Sequence, residues 1–115
     1  MLPEKFRLKI NQAQSRTWAN KKQVYTPLFK LVYHIGSEAT GSPKVGFIVS
    51  GKIGDAAKRN RLKRLFSEAV RKNIDKLPDQ IEAVVISNKE ARQANYEEIC
   101  NWLDRAISKI RISAE

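Results

Sequence analysis

The chain has 115 residues, of which 42% are hydrophobic, and it sets 22 Lys and Arg against 12 Asp and Glu for a formal charge of +10. That length and apolar content suit a single domain spanning residues 1–115 with one modest core. Folding does not require so large a positive excess, which repels itself and points to a polyanionic partner, nucleic acid ahead of an anionic membrane surface. One cysteine, Cys100, and one histidine, His34, exclude an internal disulfide and the usual multi-ligand zinc sites.

No apolar run approaches the roughly 20 residues a membrane-spanning helix needs. The opening Met-Leu-Pro-Glu-Lys-Phe-Arg-Leu-Lys lacks the apolar stretch of a signal peptide. A cytoplasmic protein with no membrane partner is therefore expected. The basic charge is uneven. Residues 1–30 carry Lys5, Arg7, Lys9, Arg16, Lys21, Lys22 and Lys30 against Glu4 alone. Residues 58–72 carry Lys58, Arg59, Arg61, Lys63, Arg64, Arg71 and Lys72 against Glu68 alone.

In chain order, Asn11 to Asn20 reads as a short helix. Leu28 to Ile35 is rich in β-favouring residues and reads as a strand, followed by a Gly/Ser/Pro loop over Gly36 to Pro43. Val45 to Val49 reads as a second strand, expected to pair with the first as an antiparallel, hairpin-like unit. Gly51 and Gly54 punctuate the chain, and Asp55 is placed to cap a helix running to about Asn73. Leu62, Leu65, Phe66, Ala69 and Val70 form its apolar stripe. Ile81 to Ser87 reads as a buried strand. Asn95 and Glu98 form a capping-box-like pair ahead of a last helix, whose apolar face is Tyr96, Ile99, Cys100, Leu103, Ile107 and Ile110. The order α-β-β-α-β-α, allowing one extra short strand, predicts an α+β fold: a two-layer α/β sandwich on a small mixed sheet.

The helix at 55–73 carries the functional signal. With its stripe inward, Asn60, Arg64, Ser67 and Arg71 fall in one outward row, with Arg61 and Lys63 beside it. Arginine offers a planar fork to phosphate oxygens and lysine a point charge. Asn60 can hydrogen-bond a base edge or a ribose hydroxyl. A charged helix exterior is often merely solvated. Here nearly every charge has one sign, at a cost in i,i+4 repulsion, and that favours nucleic-acid binding. Asp75, Asp79 and Glu82 lie in or beside a turn and read as solvated acids rather than metal ligands. His34 reads as structural, and Cys100 and Trp102 as packing residues.

Residues 45–71 resemble the signature of the bacterial ribonuclease P protein family: a Gly-containing strand, Val-Ser-Lys-Lys-x-Gly, then Arg-Asn-Arg-x-Lys-Arg and a distal Arg-Glu-x-x-Arg. The matching positions are Gly46, Val49, Ser50, Lys52, Gly54, Arg59, Asn60, Arg61, Lys63, Arg64, Glu68 and Arg71. Phe6-Arg7-Leu8-Lys9, Thr26-Pro27-Leu28-Phe29 and Tyr96-Glu97-Glu98 also fit, so the resemblance covers almost the whole chain. The chain departs from the family's usual residues at Gln14, where an aromatic is common, at Gly51 (Lys), Asp55 (Asn), Ser67 (Arg) and Asn88 (Arg).

The resemblance implies an α/β sandwich with a left-handed crossover from strand through the signature helix to the next strand, where strand physics alone favours the right-handed one. It also implies the accessory protein of a ribozyme that removes the 5′ leader from precursor tRNA. The catalytic RNA and its Mg2+ would do the chemistry, with no cofactor intrinsic to the protein. On that mapping Ser50, Lys52, Arg59, Asn60, Arg61, Lys63, Arg64 and Arg71 would contact the RNA subunit. Arg16, Trp18, Phe29, Leu31 and Tyr33 would line a cleft for the leader, between the first helix and the sheet, where aromatic faces stack on a single strand. For Phe29, Leu31 and Tyr33, which share one strand face, ordinary sheet packing is an equally weighted reading. A general RNA-binding or ribosomal protein without a precursor-tRNA role is the alternative, and a self-sufficient nuclease is a further rival. A DNA regulator is disfavoured, because a helix-turn-helix needs a helix where Val45 to Val49 reads as a strand.

Overall fold

The computed structural model describes residues 6–8, 22–35, 43–49, 51–78 and 81–114. In chain order it comprises β1 (Lys22–Tyr25), β2 (Phe29–Ile35), β3 (Lys44–Ile48), α1 (Ala56–Lys72), β4 (Ile81–Ser87) and α2 (Tyr96–Ala114), with 3-10 turns at Gly51–Ile53, Ile74–Lys76 and Lys89–Gln93. β1 is the extra short strand. The first helix expected at Asn11 to Asn20 lies outside the described residues.

The four strands form one mixed sheet in the order β1-β2-β4-β3. β1 and β2 are antiparallel, with Val24 opposite Leu31. β2 and β4 are antiparallel, with Tyr33 opposite Ala83, and β3 runs parallel to β4, with Val45 opposite Ala83. The expected β2–β3 hairpin does not form, because β4 lies between the two strands. Two physical reasons account for this. By length, the segment from Gly36 to Pro43 between β2 and β3 exceeds the two-residue connection that most tightly holds neighbouring strands in register. β4 is also the most apolar strand, with Ile81, Ala83, Val84 and Val85 all buried, so it gains most from a central place covered on both faces.

The turn from β1 to β2 is held by Thr26, whose Oγ1 donates to the Phe29 carbonyl at 2.8 Å and accepts from the Phe29 N–H at 2.9 Å. At the other edge the Leu8 N–H donates to the Val45 carbonyl at 3.1 Å, and Arg7 forms a parallel bridge to Val45. This short N-terminal segment covers part of the β3 edge, a place where open backbone groups invite unwanted pairing.

Both helices lie on one face of the sheet. Phe66 of α1 is the centre of that layer: its ring meets Phe29 edge-on at 5.7 Å and stacks on Phe47 at 6.4 Å. Leu62, Ala69 and Val70 complete the buried stripe of α1, with Leu65 half-buried. Ile99, Leu103, Ala106, Ile107 and Ile110 do the same for α2, which packs against α1 and β1. Both helix starts carry their expected caps. Asp55 Oδ1 accepts from the Lys58 N–H at 3.0 Å. Asn95 Oδ1 accepts from the Glu98 N–H at 2.8 Å, and Glu98 Oε1 accepts from the Asn95 N–H at 3.3 Å. Asn73 closes α1, with Nδ2 donating to the Ala69 carbonyl at 2.9 Å.

Candidate nucleic-acid interface

The core stripe of α1 dictates which of its side chains reach solvent. Lys58, Asn60, Arg61, Lys63, Arg64, Glu68, Arg71 and Lys72 are exposed. None of the cations among them forms an ion pair within the described residues. Long cationic side chains on a rigid helix, without acidic partners, keep their full charge for an external anion. Lys58 and Lys72 extend the strip at its two ends.

Two members of the predicted set sit differently. Ser67 is buried, and its hydroxyl donates to the Lys63 carbonyl one turn back at 2.7 Å. Its only polar group is thus consumed inside the helix, so the outward row is Asn60, Arg64 and Arg71 without Ser67. Arg59 is half-buried on the core side of the strip, and its Nε is buried without a hydrogen-bond partner. Its stem packs against protein, as long amphipathic side chains commonly do. Lys52 is exposed on the Gly51–Ile53 turn just ahead of α1. Ser50 lies outside the described residues.

The predicted leader-cleft residues divide. Arg16 and Trp18 lie outside the described residues. Phe29, Leu31 and Tyr33 are 0%, 3% and 3% exposed and belong to the core beneath the helices. Ordinary sheet packing is therefore the reading that holds for these three, and stacking on a nucleic-acid strand does not. The physical reason is strand phase. Phe29 meets Phe66, so strand alternation turns Leu31 and Tyr33 to the same side. Lys30, Val32 and His34 take the opposite face of β2, where Lys30 and His34 are half-exposed and Val32 is buried. The sequence signal for this was available in the alternation, but which set faces the helices is a tertiary question.

Glu82 also departs from expectation. It lies within β4 rather than beside a turn, and its Oε1 is 3.0 Å from His34 Nε2 on the directly opposed residue of β2. Both side chains are partly buried, which fits the structural role expected of His34. Asp75 is exposed on a short turn, and Asp79 is outside the described residues. Cys100 and Trp102 are half-buried against the core, and the Arg105 guanidinium lies 4.9 Å over the Trp102 ring. Among the described residues no group of three or more His, Cys, Asp or Glu side chains is placed to hold a metal ion, and no helix is long and apolar enough to cross a membrane.

Comparison with known proteins bears on this arrangement. The ribonuclease P family profile matches residues 2–111. The ribonuclease P protein component of Syntrophus aciditrophicus is 28% identical over 103 residues, covering 90% of this chain and 85% of its own length. That of Bacillus cereus is 31% identical over 102 residues, covering 85% and 84%. Among solved structures, the Staphylococcus aureus RNase P protein superposes with a TM-score of 0.78 at 23% identity, covering 91% of this chain and 94% of that one. The Thermotoga maritima RNase P protein superposes at 0.75 and 21% identity, covering 89% and 96%. With the family profile matched almost from end to end and the same fold in both solved relatives, this chain belongs to the ribonuclease P protein family.

Proposed function

We propose that the chain is the protein subunit of ribonuclease P, binding the catalytic RNA through α1 and assisting removal of the 5′ leader from precursor tRNA. The observation that carries this reading is the exposed strip of α1: Arg61, Lys63, Arg64 and Arg71 around Asn60, opposed by Glu68 alone and without ion pairs among the described residues. Lysine and arginine bind phosphates and release condensed counterions, so affinity should fall steeply with salt. Asn60 adds a neutral donor and acceptor for a base edge or a ribose hydroxyl.

Hydrolysis would belong to the RNA and its Mg2+, with the protein supplying charge compensation and position. Two polyanions repel, and a cation-rich subunit lowers the cost of bringing ribozyme and substrate together. The leader would run along the sheet face opposite the helices, which carries Lys30 and His34 beside the buried Val32, with Arg16 and Trp18 contributing from the chain that precedes β1. The discrimination of substrate from product would follow, because only the substrate has a leader to hold.

The test is 5′-leader removal from precursor tRNA at low magnesium, with the cognate catalytic RNA, with the protein, and with both. Cleavage at the mature 5′ end that needs both components is expected. No stimulation by folded protein would favour a general RNA-binding role, and cleavage by protein alone would overturn the division of labour.

A further inference from the structure

A groove of about 360 Å3 lies between α2 and β1, at one edge of the sheet, whereas α1 packs toward β3 at the other. Its floor is apolar, formed by Val24 of β1 and Ala106 of α2, both buried. Trp102, Arg105, Ala106 and Lys109 fall at i, i+3, i+4 and i+7, along one face of α2. Ala106 is the small member of that row, so the helix surface is lowest there. Tyr25 supplies the facing wall. It is 68% exposed, the exposed large hydrophobic side chain among the described residues, and its hydroxyl donates to the Gln23 side chain on the same strand.

The neutral and acidic groups that line this groove are committed within the protein. Thr26 Oγ1 is used by both the N–H and the carbonyl of Phe29. The Ser108 hydroxyl donates to the Asp104 carbonyl at 3.0 Å, and Asp104 Oδ1 accepts from Lys76 Nζ at 2.9 Å. Flat rings and positive charge remain for a ligand. The Arg105 guanidinium lies 4.9 Å over the Trp102 ring, an arrangement that holds its plane while keeping its charge. Arg105 and Lys109 are exposed, and neither forms an ion pair among the described residues. A peptide entering the groove would bring N–H and C=O groups that need partners, whereas the face of a base needs none.

We infer that this groove holds one unpaired nucleotide of a single-stranded RNA, its base stacked against Tyr25 and the Arg105–Trp102 pair and its phosphate on Lys109. The volume suits a single nucleotide-sized group. Stacking and charge both tolerate any base, so the order of bases should matter little. One stacked base and one ion contact hold a free nucleotide weakly, but a strand bound elsewhere on the protein presents its nucleotide at high effective concentration. RNA as the source rests on the RNA-binding reading of the chain, and the contact lies on elements other than the signature helix.

The experiment uses the fluorescence of Trp102 in a Trp18→Phe protein, which retains one of the two tryptophans. The probes are a short oligoadenylate, AMP and an acidic, tyrosine-containing peptide. Oligoadenylate should quench the emission saturably and AMP far more weakly. Tyr25→Ala and Arg105→Gln should each weaken oligoadenylate binding by about tenfold. Tyr25→Phe should retain it, and thermal melts should be unchanged, since both side chains are exposed. Absence of quenching, or quenching that neither Tyr25→Ala nor Arg105→Gln alters, would overturn the site. AMP binding as tightly as oligoadenylate would overturn RNA as the occupant in favour of a free nucleotide, and displacement of oligoadenylate by the peptide would overturn it in favour of a protein partner. RNA-subunit affinity of Arg61→Ala/Arg64→Ala, measured alongside, keeps the two readings apart. If that variant is weakened while Trp102 is not quenched, the groove site fails and the α1 reading stands. If it is not weakened while the groove variants lose oligoadenylate, the α1 reading fails and the groove site stands.

Discussion

The ring of Phe29 in β2 meets the ring of Phe66 in α1 edge-on, with centroids 5.7 Å apart and planes at 88°, and both side chains are 0% exposed. This contact mounts the basic helix on the sheet, so the aim of Asn60, Arg64 and Arg71 depends on it. Phe66→Ala removes a buried ring that also stacks on Phe47, and it should destabilise the protein by about 3–5 kcal/mol. Phe66→Leu, which keeps most of the volume, should cost much less. Urea denaturation measures both, and an alanine variant as stable as wild type would show that the ring does not anchor the helix.

Asp55 accepts from the Lys58 N–H, and its own carbonyl accepts from the Arg59 N–H. Asp55→Ala should lower stability by about 1 kcal/mol through loss of the cap. The same change removes a negative charge beside the proposed RNA-binding strip, so RNA affinity should hold or rise while stability falls. Parallel melting and binding measurements separate the two effects, and a drop in affinity with no drop in stability would contradict the capping role.

Gly54 has φ of 149°, a backbone conformation that side chains rarely adopt, and a Cβ there would stand 2.8 Å from Lys58 Cδ. The flexible Lys58 chain can move aside, but the backbone strain remains. Gly54→Ala should therefore cost about 1–3 kcal/mol. Gly51 has nothing within 4 Å of the equivalent position, so Gly51→Ala is the matched control and should be close to neutral in the same denaturation series.

Ser67 and Arg64 lie three residues apart on α1 with opposite fates. Ser67 is buried and spends its hydroxyl on Lys63, whereas Arg64 is exposed. Arg64→Ala should weaken RNA binding by about tenfold, as for one charged hydrogen bond, about 1.4 kcal/mol. Ser67→Ala should leave RNA affinity unchanged and alter stability by less than about 1 kcal/mol. An RNA-binding defect in Ser67→Ala comparable to that of Arg64→Ala would restore Ser67 to the contact row.

The Tyr96 phenol is held above its ordinary value of 10.0, first by its hydrogen bond with the Cys100 side chain, then by burial and the nearby negative charge of Cys100 and Glu68. A raised acid favours the protonated form in the folded state. Its contribution to stability is full below the ordinary value and is lost as pH rises through the folded one. Denaturation midpoints should decline above about pH 10 in the wild type, and less steeply in Tyr96→Phe. Identical profiles for the two proteins would remove Tyr96 as the cause.

The helix at 56–72 was legible in the sequence, because its cap, its apolar stripe and its terminating Asn73 all act within a few residues of one another. The capping pair Asn95 and Glu98 and the Ile81–Ser87 strand were legible for the same reason. Short-range hydrogen bonds, hydrophobic period and net charge are properties of contiguous chain. Strand pairing was not legible. β2 and β3 are neighbours in sequence, yet β4 separates them, since burial on both faces rewards the most apolar strand with the centre of the sheet. Tertiary packing also decided which face of β2 meets the helices, which buries Phe29, Leu31 and Tyr33 and leaves Lys30 and His34 half-exposed on the other side. Finally, only packing brings the Lys89–Gln93 turn against the Gly51–Ile53 turn and α1. Charge can be counted along a chain, but the positions at which charges converge depend on long-range contacts whose energies no local window contains.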